Sequence, residues 1–410
     1  MLKIDFLQKR EERLTEIMYY VAFACLIIPW GYVVEETGDY SFLPKMVSNL
    51  LLAAVGLLVA FARPIEWKKL ALVAAAGILM GIHYFKNGYL EPHYLYQVVY
   101  LELAALIYFS SPEVKKRILK YSPYLFYIFL IKAYFFRNGL FVHGGTFSSN
   151  LYSAMLMYFC WVEVSQKRYW NLLIALPVIV IGGSKAVYMG ITIFLVSSFI
   201  IAKWNSGFIR KLQSFGLQWF LATAFLVTLA ITLVMQSTAY YQDWLSGIEP
   251  HRKAITERNM ILYGFGLTQQ DEETKSQLME EKRRALKDAR PMSEVDTSLG
   301  LRLNQYDYMY SNLPKYFLVG NAAGSSWQMF GHNPHSAVID FISRLGGLFF
   351  LLCMFFYRRL FASMKNLAFN LSLLPILVFQ PYGFTIGHVL PLMVLLYALG
   401  SCPKEQKKVA

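Results

Sequence analysis

Long apolar stretches are the feature that most constrains how this chain can fold. Many of them run for about 17–22 residues, the length that an α-helix needs to cross a bilayer. About twelve helices of roughly 20 residues would use most of the 410 residues. Only 16% of the residues are charged, against about 25% in a typical soluble domain. The sequence therefore predicts an all-α polytopic membrane protein and argues against soluble enzymes and nucleic-acid-binding proteins.

Twelve membrane spans can be assigned to these stretches. They cover residues 15–34, 46–62, 70–85, 94–110, 121–136, 149–164, 170–184, 186–202, 216–235, 336–357, 367–380 and 386–401. The first follows a basic N-terminus, as in a signal peptide, but no small-residue cleavage site follows it, so we expect an uncleaved anchor. The chain then divides into residues 1–235 with nine spans, an outer loop over 236–335, and residues 336–410 with three spans and a tail.

Lys and Arg residues are distributed unevenly between the predicted loops. Alternate loops and both termini hold 22 of them, whereas the short loops on the other side hold only Lys45, Lys86, Arg137 and Lys185. Basic residues collect in short cytoplasmic loops, so we predict that the richer side and both termini are cytoplasmic. The formal net charge of +13 is then mainly a signal of topology and does not indicate a nucleic-acid-binding surface.

One predicted loop is far longer than the others. Residues 236–335 carry eleven basic and twelve acidic residues, so this loop is nearly neutral. Its middle, residues 271–290, is typical of a charged, solvated helix, and aromatic residues flank it. A loop of this length is usually functional or disordered. We expect a small, mostly helical outer subdomain that lies on the membrane bundle.

The sequence shows no sign of a disulfide, a metal centre or a nucleotide-binding loop. All four cysteines lie outside the long outer loop, and their spacing fits no metal site. No P-loop motif is present. We therefore expect a protein that needs no metal and no cofactor.

The most informative polar motif lies where the outer loop meets the tenth span. It reads Gly-His-Asn-Pro-His-Ser over residues 331–336. Its polar members are His332, Asn333, His335 and Ser336. A histidine at a membrane interface can titrate near neutral pH and act as a base or a hydrogen-bond donor. The alternative is a simple helix start, with Pro334 near the first turn and a polar residue as its cap. A metal site would lack a third ligand in the sequence.

A second motif lies within the outer loop and reads Asp-Thr-Ser-Leu-Gly-Leu-Arg-Leu-Asn-Gln-Tyr, ending at Tyr306. It predicts a capped helix whose packing face includes Tyr306 and Tyr310. Arg302 lies off that face and could bind phosphate oxygens with two parallel hydrogen bonds. The alternative is a surface arginine paired with Asp296 or Asp307.

Three further cations lie near predicted outer edges of the membrane. Lys185 ends a Gly-Gly-Ser-Lys sequence between two spans, where glycines allow close backbone approach and lysine supplies a charge for an anion. The alternative is a tight turn with a lysine that extends to the membrane surface. Lys132 and Arg137 lie near another outer edge.

Carboxylates inside predicted spans form a last group. Charges within a membrane are costly and often functional, and Glu102, Glu163 and Asp340 belong to this class. For Asp340 the simplest account is an ion pair with Arg344, four residues later on the same helix.

The order of these motifs resembles the O-antigen ligase and polymerase superfamily of bacterial inner-membrane glycosyltransferases. Ligases often show His-x-His-Asn followed by an apolar helix and glycine; His335 corresponds to the second histidine, and Ser336 replaces the asparagine. Residues 297–306 are similar to the ligase pattern Ser-Leu-Gly-x-Arg-Leu-x-x-Tyr, in which Arg302 is the loop arginine. Lys185 lies where ligases usually have an arginine.

The resemblance covers roughly residues 145–355 and implies a GT-C-like enzyme of the bacterial inner membrane that uses neither metal nor ATP. The implied donor is a glycan on undecaprenyl diphosphate, and the implied acceptor is a sugar hydroxyl of lipid A–core oligosaccharide at the periplasmic face. His335 and Arg302 would be the catalytic residues. The diphosphate would be bound by Arg302, Lys185, Arg137 and Lys132. Supporting residues would be His332, Asn333, Ser336 and Tyr306.

Three other functions stay open on the sequence. A polymerase would use the same donor but extend another lipid-linked repeat unit. A secondary transporter or lipid flippase would also have many spans and buried charges, although no repeat halves are apparent. A scaffold for an envelope-assembly complex would need no catalytic histidine.

Overall fold

A computed structural model describes residues 66–137, 149–238, 306–320, 336–379 and 389–402, except residues 89, 183, 184, 205 and 308, together with eight residues between 12 and 54. In these parts of the chain every regular element with assigned bounds is an α-helix. The prediction of an all-α protein is therefore confirmed for the described residues.

The helices follow the predicted apolar stretches closely. In chain order they are α1 (Trp67–Asn87), α2 (His93–Tyr108), α3 (Pro112–Arg137), α4 (Ser149–Ser165), α5 (Tyr169–Gly182), α6 (Lys185–Lys203), α7 (Gly207–Gln213), α8 (Leu217–Gln236), α9 (Leu313–Phe317), α10 (Ala337–Leu345), α11 (Gly347–Phe356), α12 (Arg358–Ser363), α13 (Leu367–Phe379) and α14 (Val389–Gly400). Residues 306, 307 and 309–311 are also helical.

Three of the described helices are long and apolar enough to cross a membrane. They are α1 over Trp67–Lys86, α6 and α8. A fourth candidate arises if α10 and α11 are taken as one bent span. The described residues thus support a helical membrane protein with three or four candidate spans. The total of twelve spans stays a prediction, and the first two predicted spans, 15–34 and 46–62, lie almost entirely outside the described residues.

The tenth predicted span, residues 336–357, is wrong as a single helix. α10 ends at Leu345, α11 begins at Gly347, and the two helices are bent by 112° relative to each other. Gly346 between them has a φ of +91°, a conformation that glycine adopts without the steric penalty of a Cβ atom. Apolar composition continues across the break, so a count of apolar residues does not reveal it.

α13 and α14 form the centre of the described bundle. α13 is apolar apart from Asn370 and Ser372, and most of its residues are buried, as expected for a helix that neighbours cover on all sides. It packs against α6, α8 and α10, while α14 packs against α2, α3 and α4. Trp161 of α4 stacks on Phe369 of α13 with 4.1 Å between ring centroids, and Tyr397 of α14 contacts both rings.

Polar contacts between distant segments lie at two ends of this bundle. At one end, Nζ of Lys86 donates a hydrogen bond to the carbonyl oxygen of Lys315 at 2.8 Å. At the other, the hydroxyl of Tyr108 donates to the carbonyl oxygen of Ser363, also at 2.8 Å. The first pair joins segments that the sequence assigns to the outer side, and the second joins segments assigned to the inner side. We refer to them as the outer end and the inner end.

Candidate functional site at the outer end

Two of the predicted site residues meet at the C-terminal end of α13. The hydroxyl of Tyr306 donates a hydrogen bond to the carbonyl oxygen of Val378, and the hydroxyl of Ser336 donates to that of Leu377 at 3.0 Å. The last four carbonyl groups of a helix have no partner within it. Because Tyr306 and Ser336 are fully buried, their hydroxyls satisfy carbonyls that water cannot easily reach. Two segments that are distant in sequence are thereby attached to one helix end.

Ser336 also forms the N-cap of α10. Its backbone is extended, and its Oγ accepts a hydrogen bond from the backbone N–H of Ile339 at 3.4 Å. This geometry confirms that a polar residue of the motif caps a helix start. It accounts for Ser336 alone, because His332, Asn333 and His335 lie outside the described residues.

The helical turn that carries Tyr306 is attached to α8 as well. The hydroxyl of Tyr310 donates to the carbonyl oxygen of Phe225 at 2.9 Å and shares a hydrogen bond with the hydroxyl of Thr228. Burial raises the pKa of Tyr310 to about 12, so its phenol stays protonated at neutral pH. Tyr306 and Tyr310 therefore lie on a packed face, as their four-residue spacing predicts.

Asp307, one of the partners predicted for Arg302, is bound by other residues of the outer end. Nε2 of Gln236, the last residue of α8, donates to Oδ1 of Asp307, and Oγ of Ser311 donates to the same oxygen at 3.4 Å. Arg302 lies outside the described residues. Its pairing with Asp296 or Asp307 therefore stays a prediction.

A polar stripe on α8 was missed by the sequence analysis. Thr228, Thr232 and Gln236 recur every fourth residue, which places them on one face of the helix. Both threonines are buried, and Thr228 and Gln236 bind the turn that carries Tyr310 and Asp307. The signal was available in the sequence as polar residues at helical spacing in an otherwise apolar span.

Asp340 is paired with Arg344, and this prediction is confirmed. Nε of Arg344 lies 2.7 Å from Oδ1 of Asp340, and the side chain of Asp340 is 1% exposed. The backbone of Arg344 is covered in turn by Gly320, where a Cβ atom would overlap the Arg344 carbonyl group. A Cβ atom on Gly346 would lie only 2.9 Å from Cα of Val319. Val319 and Gly320, within the predicted outer loop, thus lie directly on the break between α10 and α11.

Lys185 is the first residue of α6, and it is exposed. Gly190 lies against the carbonyl oxygen of Ser372 in α13, while later residues of α6 line a small cavity with Phe369, one turn earlier in α13. α6 and α13 therefore pack closely at Gly190, five residues after Lys185. A cation at a helix N-terminus is unfavourable for the helix dipole, so the stability of α6 does not explain this lysine.

The other predicted cations are described only by their backbone. Lys132 and Arg137 belong to the final turns of α3, and their side chains lie outside the described part of the structure. The structure therefore brings Tyr306 and Ser336 together at one helix end, and the predicted contribution of Lys132 and Arg137 stays a prediction.

Two of the carboxylates within predicted spans have partners away from this site. Glu102 accepts hydrogen bonds from Nζ of Lys69 and, at 3.3 Å, from the hydroxyl of Tyr357. Glu163 pairs with Nε of Arg168 at 3.0 Å. These contacts connect neighbouring helices and favour a structural role for both carboxylates.

No three His, Cys, Asp or Glu side chains come together as metal ligands among the described residues. His332 and His335 are not among them. The expectation of a site without metal is therefore untested at the polar motif itself.

Comparison with known proteins adds no relative to this picture. No protein-family model, no curated protein and no solved structure matches the chain. Any assignment of function thus depends on the order of the motifs in the sequence and on the contacts described above.

Proposed function

We propose that this chain is an O-antigen ligase, a GT-C-like glycosyltransferase with about twelve spans in the bacterial inner membrane. One observation above all supports the proposal. Tyr306 and Ser336, from the two motifs that resemble ligases, bind consecutive carbonyls at the end of α13. His335 directly precedes Ser336 in the sequence, and Arg302 precedes Tyr306 by four residues.

The proposed reaction transfers a glycan from undecaprenyl diphosphate to lipid A–core oligosaccharide at the periplasmic face. An oxygen of an acceptor sugar hydroxyl attacks the anomeric carbon of the donor and forms a new carbon–oxygen bond. The bond from that carbon to the diphosphate oxygen breaks, and undecaprenyl diphosphate leaves with the electron pair. His335 takes the proton of the acceptor hydroxyl as a general base. The glycosyl-diphosphate bond supplies the free energy, so no nucleotide is required.

Fixed cations beside the diphosphate lower the barrier, because negative charge grows on the leaving group. Arg302 and Lys185 are the first candidates for this role, with Arg137 and Lys132 as neighbours. Lys185 fits it for two reasons. It is exposed and forms no ion pair with another described residue, and it lies at the positive end of the α6 dipole, which also attracts anions.

Reconstitution tests the proposal. Purified protein in proteoliposomes, supplied with lipid-linked glycan and purified lipid A–core but no ATP, should produce glycosylated lipid A–core. His335→Ala and Arg302→Ala should abolish transfer while the protein still inserts and folds. Lys315→Gln, which removes an exposed charge at the same end, should keep it. Near-normal transfer by either alanine variant would show that the proposed site is wrong.

A polymerase is the nearest alternative, because it would use the same donor and the same residues. It differs in the acceptor, which would be another lipid-linked repeat unit. Growth of the lipid-linked chain in the absence of lipid A–core would favour the polymerase over the ligase.

A transporter or lipid flippase is favoured by one specific feature, the break between α10 and α11. Discontinuous helices often surround the substrate sites of transporters. Movement of lipid-linked glycan across liposomes without any glycosidic product would support this function. No transfer by the purified wild type, together with transfer in cells that persists in His335→Ala, would instead favour a scaffold in an assembly that contains another enzyme.

A further inference from the structure

The connection between α6 and α8 carries an exposed aromatic and basic surface at the inner end. Trp204 and Phe208 are 68% and 70% exposed, and Trp219 near the start of α8 is 56% exposed. Arg210 and Lys211 of α7 are exposed beside them. We refer to these five residues as the α7 surface. Exposed apolar patches bordered by polar residues mark sites of protein or membrane contact.

α7 is a short amphipathic helix whose apolar face extends past the edge of the bundle. Ser206 caps it, since its Oγ accepts a hydrogen bond from the backbone N–H of Ile209 at 3.2 Å. Phe208 and Leu212 share one face of α7, because they are four residues apart. Leu212 and Phe215 pack against the core. Phe208 continues the same face into open space.

The position of α7 along the bundle matches the surface of a membrane. It joins α6 and α8, which are two of the three helices of span length. α7 therefore lies where both helices leave the apolar layer, which is the depth at which tryptophan side chains are enriched. Helices with an apolar face and cations on the other face bind in this interfacial region.

The charge of this region has one sign along the chain. Between Glu163 and Asp243 the sequence contains no acidic residue. The same stretch includes three exposed cations around α7, namely Lys203, Arg210 and Lys211.

A neighbouring helix adds cations to the same end. Gly216, between α7 and α8, lies so close to α12 that a Cβ atom on it would be 2.5 Å from the carbonyl oxygen of Phe361. α12 begins with Arg358 and Arg359, which are both exposed. Anionic phosphate groups complement such a cluster. Each cation near an anionic membrane surface strengthens binding to that surface about fivefold.

We propose that the α7 surface binds anionic phospholipid headgroups in the leaflet at the inner end. Trp204 and Phe208 enter the boundary between headgroups and acyl chains, and Arg210 and Lys211 contact headgroup phosphates. The connection then fixes the depth of α6 and α8 in the membrane. This inference does not depend on the proposed transferase activity.

Quenching of tryptophan fluorescence by brominated lipids tests the proposal on the full chain in proteoliposomes. Two membranes contain the same proportions of phosphatidylglycerol and phosphatidylcholine and differ only in which lipid carries bromine. The contribution of Trp204 is the difference between the wild type and Trp204→Phe. We expect brominated phosphatidylglycerol to quench it more strongly at equal mole fraction. The double variant Arg210→Gln/Lys211→Gln should reduce this preference at least about fivefold.

Two controls keep the test decisive. Lys315→Gln removes an exposed lysine at the outer end and should leave the preference unchanged. In the wild type, 1 M salt should weaken the preference for brominated phosphatidylglycerol, because it shortens the Debye length to about 3 Å. This measurement tests the proposal even if the double variant does not fold. Equal quenching by the two lipids, no quenching of Trp204, or a preference that neither the double variant nor salt reduces would each overturn the proposal.

Discussion

The C-terminal end of α13, at the outer end of the bundle, and the buried carboxylate of Glu163, at the inner end, are paired by different kinds of polar side chain. At the outer end, the neutral hydroxyls of Tyr306 and Ser336 bind backbone carbonyls at the end of α13. At the inner end, Glu163 is held by Nε of Arg168 at 3.0 Å and by Nδ2 of Asn171 at 2.6 Å. The C-terminal end of α13 is therefore satisfied by neutral hydroxyls, whereas the buried carboxylate of Glu163 is held by a cation and an amide.

The inner network extends over three helices. Nη2 of Arg168 donates to Oγ of Ser122 at 3.0 Å, and the hydroxyl of Tyr127 donates to Oδ1 of Asn171 at 2.6 Å. These contacts connect α3, α4 and α5. Both contacts of Glu163 go to its Oε2, while its Oε1 is buried without a hydrogen-bond partner among the described residues. At the outer end the hydroxyls of Tyr306 and Ser336 carry no charge, and the charge of Lys185 is exposed, which is what an anion-binding site needs.

Loss of Arg168 should have the largest effect on folding. Arg168→Ala leaves the carboxylate of Glu163, whose side chain is 1% exposed, without its cation. Breaking a buried ion pair on one side is strongly destabilising, and we expect a loss of about 3 kcal/mol in the free energy of unfolding. Denaturant unfolding in detergent measures it. Lys167→Gln, which removes the exposed charge of the neighbouring residue, should change little. Equal stability of the two variants would contradict a structural role for the network.

The addition of a side chain next to the break between α10 and α11 should be the next most destabilising change. Gly320→Ala forces a Cβ atom into the backbone of Arg344. Overpacking of this kind costs about 1–3 kcal/mol, and it should also reduce glycan transfer by displacing the start of α11. The matched control is Gly81→Ala in α1, which meets no atom within 4 Å and should stabilise the helix by up to about 1 kcal/mol. Similar melting temperatures for both variants would argue against the close contact at the break.

Removal of the Tyr306 hydroxyl should have a moderate effect on the free energy of unfolding. Tyr306→Phe keeps the buried ring but leaves the carbonyl of Val378 without its donor, which costs about 1–2 kcal/mol. If this contact positions the neighbouring motif, the turnover rate in the transfer assay should fall as well. Tyr124→Phe, at a tyrosine that is 68% exposed, is the control and should behave as wild type. Unchanged stability in Tyr306→Phe would show that the hydroxyl is not an anchor.

Removal of Lys185 should have the smallest effect on folding. The side chain is exposed at the N-terminus of α6, so Lys185→Gln should change the free energy of unfolding by only a few tenths of a kcal/mol, roughly the dipole contribution. Transfer should fall about tenfold or more, because a cation beside the leaving group is lost. Lys185→Arg should restore it, and Lys203→Gln at the other end of α6 should leave it unchanged. Normal transfer by Lys185→Gln would show that this lysine is not part of the proposed site.

Apolar length predicted several helices almost to the residue. The prediction for residues 216–235 matches α8, and that for 149–164 matches α4. α3 differs, because it begins at Pro112 and not near residue 121. Hydropathy marks the part of a helix that is apolar, and the charged residues before it continue the same helix with Pro112 in the first turn.

The sequence by itself determined what depends on neighbours along the chain. The helices, the cap at Ser336 and the pair of Asp340 with Arg344 each arise from residues within one or a few turns.

Only the tertiary structure decided which distant segments share an end of the bundle. Tyr306 and Ser336 meet because both reach α13, and the break at Gly346 lies beneath Val319 and Gly320 of another segment. A hydroxyl in the sequence does not specify which carbonyl it will bind, and a glycine does not specify where a helix will turn. Those outcomes depend on which helix ends lie unpaired beside them after packing.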